Sequence, residues 1–525
     1  MHPGQLLASW VANSRLFKPT RRSVPIADRS SNSYTGPKCG ARSDLRHSDK
    51  DPLALIARRD IADSADFVVV GSGAAGAMAA RWLAAAGHQV VLVEEGDQPV
   101  AWPFESPNAL RMVHGGGRWT TRGGDAITLT AGNCVGGSTA IGYGVHAQLP
   151  EEVYESWVQL DPSWQSRLSY TEIDLARTQI ESDMAVEKVA RELWGASGQL
   201  LLNAFAGSAE PVWRGAPGCR GTGRCVAGCP TRGMGSVDRV LWPIAQRLGA
   251  RLHSQARVER ILIEAGRAVG VSGRTIQGSK VSITARRAVF LCAGALNTPL
   301  LLRRSSISCP SWGWQLHADA LVTAMMPAPL DEEQAAGLAI AGPIPEVDTA
   351  TIAAVSILPR QRAMQLPGAG LELEQRMEHL SHLATWRVTV PCQARGEMGN
   401  GLLGPRFDLK LATSDRLRLL AAVSVAADGM LRQGAMEVYP QVHGAPVVAT
   451  TVDDVAQITS VAPTAGAIAL HANSFFGGLR VDERYCVPGI KGLVVADAAV
   501  LPACTVVPPM ATVMAVAMAA VQRWV

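Results

Sequence analysis

Short apolar runs bounded by glycine form the clearest pattern in the N-terminal part of the chain. The run 66–70 (Asp-Phe-Val-Val-Val) is rich in β-branched residues and ends at Gly71, and a second apolar run covers 89–93. Runs of this length predict strands that are buried in a parallel sheet. The segment 77–86 between them predicts a helix that ends at Gly87. The pattern therefore predicts a strand–turn–helix–strand unit.

The turn that joins the first strand to the helix is rich in glycine. It reads Gly71-Ser72-Gly73-Ala74-Ala75-Gly76. In such a turn the first glycine permits the tight bend, the second lets the backbone approach a pyrophosphate, and the third allows close helix–strand packing. The helix N-terminus offers unpaired N–H groups to the phosphates. Glu94 closes the second strand, where a carboxylate can bind ribose hydroxyls. This Rossmann-type pattern predicts a dinucleotide site, and by itself it fits NAD and FAD equally.

The C-terminal half carries two other patterns. The segment 385–390 (Thr-Trp-Arg-Val-Thr-Val) has alternating polar and apolar residues, which predicts a strand of an antiparallel sheet. The run 511–521 is apolar throughout but too short to span a membrane, so it predicts a buried helix. No apolar run in the chain reaches about 18 residues, and we therefore expect no membrane-spanning helix.

Composition narrows the class of protein. The chain has 525 residues, 47% of them hydrophobic and 18% charged, which predicts a globular protein of two or more packed regions. The net charge of +4 is small for this length and does not favour nucleic-acid binding. Residues 1–64 hold more basic than acidic residues and many serines, which predicts a disordered tail or a targeting segment. We expect a cytoplasmic protein unless this tail directs it elsewhere.

Four separated segments resemble the glucose–methanol–choline (GMC) family of FAD-dependent oxidoreductases. They are the Rossmann turn followed by Glu94-Glu95-Gly96, the second glycine loop 132–141 (Gly-Asn-Cys-Val-Gly-Gly-Ser-Thr-Ala-Ile), the segment 294–302, and the segment 489–502. They occur in the order found in the family. The resemblance implies that the dinucleotide is FAD and that the reaction is a flavin-dependent oxidation.

The resemblance also implies which residues contact the cofactor. Asp497 would hold ribityl or pyrophosphate-side groups, although an acid at this place could also cap a helix. Val258 lies in a segment that resembles the strand contacting adenine in the family. The remaining cofactor contacts that the resemblance implies are Glu95, Gly132, Gly136, Gly137, Ser138, Gly142, Ala498, Pro509 and Met510.

The chain departs from the family where the alcohol-oxidising members carry their catalytic side chains. Ser474 stands where the family has its histidine base, Pro508 replaces an asparagine or histidine, and Gly142 replaces an asparagine. Neither serine nor proline can act as a base at neutral pH. Two alternatives follow: His471, three residues before Ser474, takes over the role of base, or the reaction is not ordinary alcohol oxidation. His146 and His317 are weaker candidates.

Three cysteines fall within eleven residues, at Cys219, Cys225 and Cys229. Their glycine-rich surroundings, and a resemblance to the cluster segment of GMC sugar dehydrogenases and long-chain alcohol oxidases, favour a 3Fe–4S cluster. A zinc site would need a fourth ligand. The alternative to both is a loop with free thiols or one disulfide.

The expected fold class is α/β (α+β overall), with a Rossmann-type FAD-binding domain and a second domain built on an antiparallel sheet. The FAD-binding domain would comprise 65–150, 230–310 and 466–525, the insert with the cysteines 151–229, and the substrate domain 311–465. The leading functional hypothesis is oxidation of the CH–OH group of a small or apolar alcohol by hydride transfer to the flavin. An electron-acceptor protein or a quinone would be a further partner. The alternatives are flavin chemistry on a non-alcohol substrate and a non-catalytic electron-passing flavoprotein.

Overall fold

A computed structural model describes residues 60–99, 112–114, 119–330, 334–357, 359–402 and 404–525. Most of the basic tail predicted for 1–64 lies outside the described residues. In chain order the strands are β1 (Ile61–Val70), β2 (Val90–Val93), β3 (Thr128–Leu129), β4 (Val186–Lys188), β5 (Glu210–Pro211), β6 (Trp213–Gly215), β7 (Arg251–His253), β8 (Ala256–Glu264), β9 (Arg267–Thr275), β10 (Lys280–Leu291), β11 (Gln315–Met325), β12 (Leu338–Pro343), β13 (Thr351–Val355), β14 (Leu383–Pro391), β15 (Glu397–Gly401), β16 (Gly404–Asp408), β17 (Glu437–Tyr439), β18 (His471–Ala472), β19 (Phe475–Phe476) and β20 (Leu493–Val495). The α-helices are α1 (Ala74–Ala85), α2 (Glu151–Leu160), α3 (Ser163–Arg167), α4 (Tyr170–Asp183), α5 (Gly195–Ala204), α6 (Leu241–Arg247), α7 (Gly294–Arg304), α8 (Pro359–Gln365), α9 (Leu371–Glu378), α10 (Thr413–Arg432), α11 (Val452–Ser460) and α12 (Met510–Gln522).

The first sheet is the Rossmann-type sheet, with strand order β7-β2-β1-β10-β9-β8 and β20 added beside β10. Its central strands β2, β1, β10 and β20 run parallel, whereas β8, β9 and β10 pair antiparallel. The apolar run Phe67–Val70 is buried on both faces, as continuous β-branched runs are in a covered parallel sheet. β1 begins at Ile61, within the predicted tail, because its first residues pair with β10.

Two helices cover this sheet close to the glycine turn. α1 follows the turn and packs against α12, whose apolar run 511–521 is buried as its sequence predicts. Within the described part of the chain, no helix is long and apolar enough to cross a membrane.

The second sheet is antiparallel over most of its width, as the alternation at 385–390 predicts. Its order is β3-β18-β11-β14-β13-β12-β5, and β17 and β19 pair with other parts of β11. Even-numbered residues of β11, such as Leu316 and Val322, pack in the large core that α5 and α10 cover. Odd-numbered residues of β11 therefore face the opposite side, because side chains alternate along a strand.

Candidate functional site

One large cavity, of about 510 Å³, runs between the two sheets. Its walls at one end are the two glycine loops and the ends of β1 and β2, and at the other end the open face of the second sheet. Most of the predicted cofactor contacts line it: Gly71, Gly73, Ala74, Ala75, Glu94, Glu95, Gly132, Gly137, Ser138, Gly142, Val258, Asp497, Ala498, Pro509 and Met510. Gly76 and Gly136 lie behind this lining. Both candidate catalytic residues, His471 and Ser474, line the same cavity.

The phosphate-binding turn has a geometry that only glycine allows at two positions. Gly71 adopts φ +96°, and an added Cβ would lie 2.4 Å from the backbone oxygen of Cys292. An added Cβ on Gly76 would lie 1.8 Å from the backbone oxygen of Gly71, so the role predicted for Gly76 in close packing agrees with the structure. Gly73 is the N-cap residue of α1, and no side chain caps the helix there. The first turn of α1 also holds no acidic residue. The N–H groups at the start of α1 are therefore available to phosphate oxygens, whereas those of Gly71 and Ser72 already donate to Val93 and Glu94.

Glu94 connects the two glycine loops instead of projecting freely. Its Oε2 accepts hydrogen bonds from the backbone N–H and hydroxyl of Ser72, at 2.9 and 2.6 Å, and its Oε1 accepts from Gly96 N–H at 2.9 Å. The Ser72 hydroxyl in turn accepts from the N–H of Gly136 at 3.0 Å. Burial raises the pKa of Glu94, and these hydrogen bonds oppose the rise. The ribose contact predicted for Glu94 stays a prediction.

Asp497 has the capping role that its sequence position suggested as an alternative, and its predicted contact with the cofactor stays a prediction. Its carboxylate caps a short 3₁₀ helix by accepting from Ala499 N–H at 2.8 Å, and it also accepts from Gly294 N–H at 2.7 Å and the Thr298 hydroxyl at 2.6 Å. Burial raises the pKa of Asp497 to about 6 despite these bonds. Asp497 thereby joins the segments 294–302 and 489–502 at the cavity wall.

The residues at the end of the cavity that the two glycine loops form fit FAD. The glycine turns leave room for a pyrophosphate, the start of α1 offers N–H donors, and Val258 and Glu95 line the far end where an adenosine would lie. At the opposite end Pro509 precedes α12 and Met510 begins it, next to the second glycine loop. FAD would lie along this wall, with its flavin end toward the second sheet.

The three altered family positions all lie in the cavity wall. Ser474, Pro508 and Gly142 line the same cavity as the predicted cofactor contacts. The Ser474 hydroxyl donates to the side-chain oxygen of Asn473 at 3.1 Å. The backbone oxygen of Ser474 accepts from the backbone N–H of His317, also at 3.1 Å. None of the three altered positions, Ser474, Pro508 and Gly142, therefore presents a basic side chain to the cavity.

A row of polar side chains crosses the open face of the second sheet beside these positions. His471 of β18 lies opposite Asp319 of β11, which lies opposite Thr389 of β14, which lies opposite Thr351 of β13. All four line the cavity. The Thr389 hydroxyl donates to Asp319 Oδ1 at 2.5 Å, which fixes the orientation of the carboxylate. We call these four residues the polar row.

Burial keeps the histidines near the polar row neutral. It lowers the pKa of His471, and the Asp319 carboxylate partly offsets this. Burial and the nearby Arg387 lower the pKa of His317 to about 3. The pKa of Asp319 is raised by burial, with Arg387 and Thr389 acting in the opposite direction. His471 is therefore the side chain of the row best suited to accept a proton at neutral pH.

Sequence reasoning missed Asp319, Thr389 and Arg387. Their only signal was alternation, since the segments 315–320 and 385–390 place polar residues at every second position. Alternation shows that these residues share a face of a strand, but not that the face lines a cavity. His317 lies in the cavity wall, whereas His146 is buried elsewhere, and neither of its ring nitrogens has a hydrogen-bond partner among the described residues.

The three clustered cysteines do not form a metal site. Cys225 and Cys229 are buried against Met234, Cys219 packs against the core of the second sheet, and all three are free thiols. Among the described residues no group of three or more His, Cys, Asp or Glu side chains could hold a metal ion. The residues present thus do not fit a 3Fe–4S cluster or a zinc ion, and the alternative of free thiols agrees with the structure.

Comparison with known proteins identifies the family. The model of the GMC oxidoreductase family matches residues 65–319. An uncharacterised GMC-type oxidoreductase of Mycobacterium tuberculosis is 33% identical over 488 residues, which cover 88% of this chain and 76% of that protein. A long-chain-alcohol oxidase of Arabidopsis thaliana is 29% identical over 272 residues, which cover 48% of this chain and 35% of that protein.

A solved structure shows the same fold. The formate oxidase of Aspergillus oryzae, whose FAD modification was studied, superposes with a TM-score of 0.64 at 15% identity, covering 89% of this chain and 98% of the oxidase. Together with the cofactor-binding geometry described above, these similarities identify the protein as an FAD-dependent oxidoreductase that belongs to the GMC family.

Proposed function

We propose that this oxidoreductase acts on the CH–OH group of a small or apolar alcohol, and that His471 accepts the hydroxyl proton. The observation that carries the proposal is the position of His471, which lies opposite Asp319 on the sheet face that closes the flavin end of the cavity. Residues directly opposite in an antiparallel pair have Cβ atoms about 4.5–5.5 Å apart. The similarity to a long-chain-alcohol oxidase supports an alcohol as the substrate class.

The chemistry assigns one role to each group. When bound, the flavin supplies the acceptor for the hydride that leaves the carbon bearing the hydroxyl. His471, neutral because burial lowers its pKa, takes the proton from the hydroxyl oxygen as the carbonyl forms. Asp319, held in place by the Thr389 hydroxyl, stabilises the imidazolium that results. Leu321, Leu338 and other apolar side chains of the cavity wall contact the body of the substrate and exclude water.

A second candidate function keeps the flavin and changes the reaction. Ser474, Pro508 and Gly142 all line the cavity, and none of them can act as a base at the positions where the family carries its catalytic side chains. A lyase, an isomerase, a desaturase or a light-driven enzyme in specialised metabolism would not need that base. This candidate gains support if alcohols leave the flavin oxidised.

The deciding experiment is anaerobic mixing of the purified, FAD-loaded protein with a panel of primary and secondary alcohols. We expect at least one alcohol to bleach the flavin absorbance, and we expect His471→Ala to slow this bleaching by roughly 100-fold or more, since a positioned general base contributes about 10²–10⁴-fold. His443→Ala is the matched control, because His443 is exposed outside the cavity. A panel that leaves the flavin oxidised, or a His471→Ala protein with an unchanged rate, would overturn the proposal.

A further inference from the structure

We propose that Arg387 binds a carboxylate of the substrate, so that the substrate is an alcohol with an apolar body and an acid group remote from the reacting carbon. This inference rests on the proposed function, which it makes more specific. Arg387 belongs to β14, where it lies opposite Leu321 of β11 and Ala353 of β13. Its side chain lines the same cavity as the polar row, and its guanidinium lies over the ring of Tyr143, 5.6 Å from the ring centroid.

In the part of the chain that the structure describes, no acceptor lies within hydrogen-bond length of the Nε of Arg387, although its side chain is only 15% exposed. The Nε atom itself is buried. The nearest carboxylate oxygen, Asp319 Oδ1, is 3.9 Å away, beyond hydrogen-bond length. That oxygen already accepts from the Thr389 hydroxyl. The donors of Arg387 are thus unused on the side that faces the cavity.

Two arginines that are more deeply buried than Arg387 show the contrast. Arg416 donates two hydrogen bonds to the carboxylate of Asp125, at 2.6 and 3.2 Å. Arg214 donates to the backbone oxygen of Tyr143 at 2.6 Å. A buried charge without such partners destabilises a fold by several kcal/mol. Arg387 fits this rule if its partner is an anionic group of a ligand in the cavity.

The surroundings of Arg387 favour an anion. His317 is neutral over the whole physiological range because burial and Arg387 lower its pKa to about 3, and His471 is neutral at pH 7 because burial lowers its pKa. A planar guanidinium can bind both oxygens of a carboxylate, which makes carboxylate the anion of best fit.

The sheet sets the spacing between the two functional groups of such a substrate. His471 and Arg387 lie on strands that are separated by β11 alone, which places their backbones about 10 Å apart across the sheet. Leu321 and Leu338 of the cavity wall offer apolar contacts on this side. A substrate that reaches both residues therefore has its hydroxyl and carboxylate several bonds apart, joined by an aliphatic or aromatic body.

The test uses pairs of compounds that differ in charge and not in shape. 4-Methylbenzoate and 4-methylbenzamide lack a hydroxyl, and their binding to the FAD-loaded protein is followed through the change in flavin absorbance. 4-(Hydroxymethyl)benzoate and its amide are then compared in anaerobic flavin reduction. We expect the protein to bind the acid roughly 10- to 100-fold more tightly than the amide, the range for a charge-assisted contact, and we expect Arg387→Met to abolish this preference. Arg432→Met, at an exposed position at the end of α10, is the matched control.

Each outcome decides the proposal. Equal binding of acid and amide by the unaltered protein, or a preference that survives in Arg387→Met, would overturn it. If Arg387→Met does not retain FAD, Arg387→Lys replaces it: this variant keeps the charge but loses the planar fork, so an undiminished preference would count against the proposal and a reduced one would support it. If alcohols bleach the flavin but the protein does not prefer the acid, the role of Arg387 is refuted and the proposed reaction stands. If the protein prefers the acid but no alcohol bleaches the flavin, the proposed reaction is refuted and the role of Arg387 stands.

Discussion

Asp497→Ala removes the acceptor for three hydrogen bonds in the wall of the FAD site. The donors are the backbone N–H groups of Gly294 and Ala499 and the hydroxyl of Thr298, at 2.6–2.8 Å from the carboxylate. Thr298 and Ala499 are both fully buried, so water cannot easily replace the acceptor that they lose, whereas Gly294 lines the cavity. A buried donor without a partner costs about 1–3 kcal/mol, so the two buried donors together reduce the free energy of unfolding by roughly 2–6 kcal/mol.

Asp497→Ala also removes the cost of keeping a buried carboxylate ionised, and this cost depends on pH. Burial raises the pKa of Asp497 from 3.8 to about 6, a difference that corresponds to about 3 kcal/mol at neutral pH. Because the pKa is higher in the folded state, the folded protein binds the proton more tightly than the unfolded chain. Its stability therefore declines as the pH rises through the window between these two values. The alanine variant does not show this decline.

The destabilisation caused by Asp497→Ala should thus be about 2.5 kcal/mol greater at pH 4 than at pH 7.5, since the carboxyl of the unfolded chain is itself only partly protonated at pH 4. Urea unfolding of the flavin-free protein, followed by tryptophan fluorescence at both pH values, measures the difference. Asp482→Ala is the control, because Asp482 is an exposed carboxylate that accepts two backbone hydrogen bonds. A loss of stability that is equal at the two pH values, or greater at pH 7.5, would refute the reasoning.

Three further predictions follow from the site. Gly76→Ala should abolish FAD binding, measured as the ratio of flavin to protein absorbance, because its methyl group would overlap a backbone oxygen of the turn. Gly399→Ala, where an added Cβ meets only the side chain of Arg406 at 3.7 Å, should leave the ratio unchanged. The rate of flavin reduction, measured by stopped-flow mixing, should fall only below about pH 6.5, because protonation of His471 stops the reaction and burial lowers the pKa of His471. A decline that begins above pH 7 would contradict this prediction. Iron analysis should find far less than three iron atoms per chain. Flavin reduction should also survive when serine replaces the three clustered cysteines, Cys219, Cys225 and Cys229. Three iron atoms per chain would contradict the structure.

The FAD end of the site was largely predictable because its determinants are local. The glycine turn, the first turn of α1 and Glu94 lie within 24 residues of one another, and each carries a steric or hydrogen-bonding demand that the sequence displays. The apolar helix α12 follows in the same way from a short-range pattern, whereas the strand that holds Val258 was expected from the resemblance to the family. The resemblance to a family then supplied what the turn could not, namely that the dinucleotide is FAD.

The substrate end could not be predicted in the same way because it depends on register between distant strands. His471 and Asp319 are 152 residues apart in the sequence and become neighbours only through the pairing of β18 with β11. No local pattern determines that pairing, since β18 is two residues long. The bond from Thr389 to Asp319 depends on a second pairing, between β11 and β14. The domain boundaries proposed from the sequence stay a prediction, although β3, β5 and β18 enter the second sheet from outside 311–465.

The two short strands β3 and β18 tie the flavin-binding segments into the sheet that closes the substrate end. β3 directly precedes the second glycine loop, and β18 begins at His471 and pairs with both β3 and β11. Backbone hydrogen bonds thus fix the distance from the cofactor to the far wall, so the enzyme cannot widen its cavity by swinging one half of the chain away from the other. It should therefore select substrates by length: molecules that are too long would be rejected even when they carry the right functional groups.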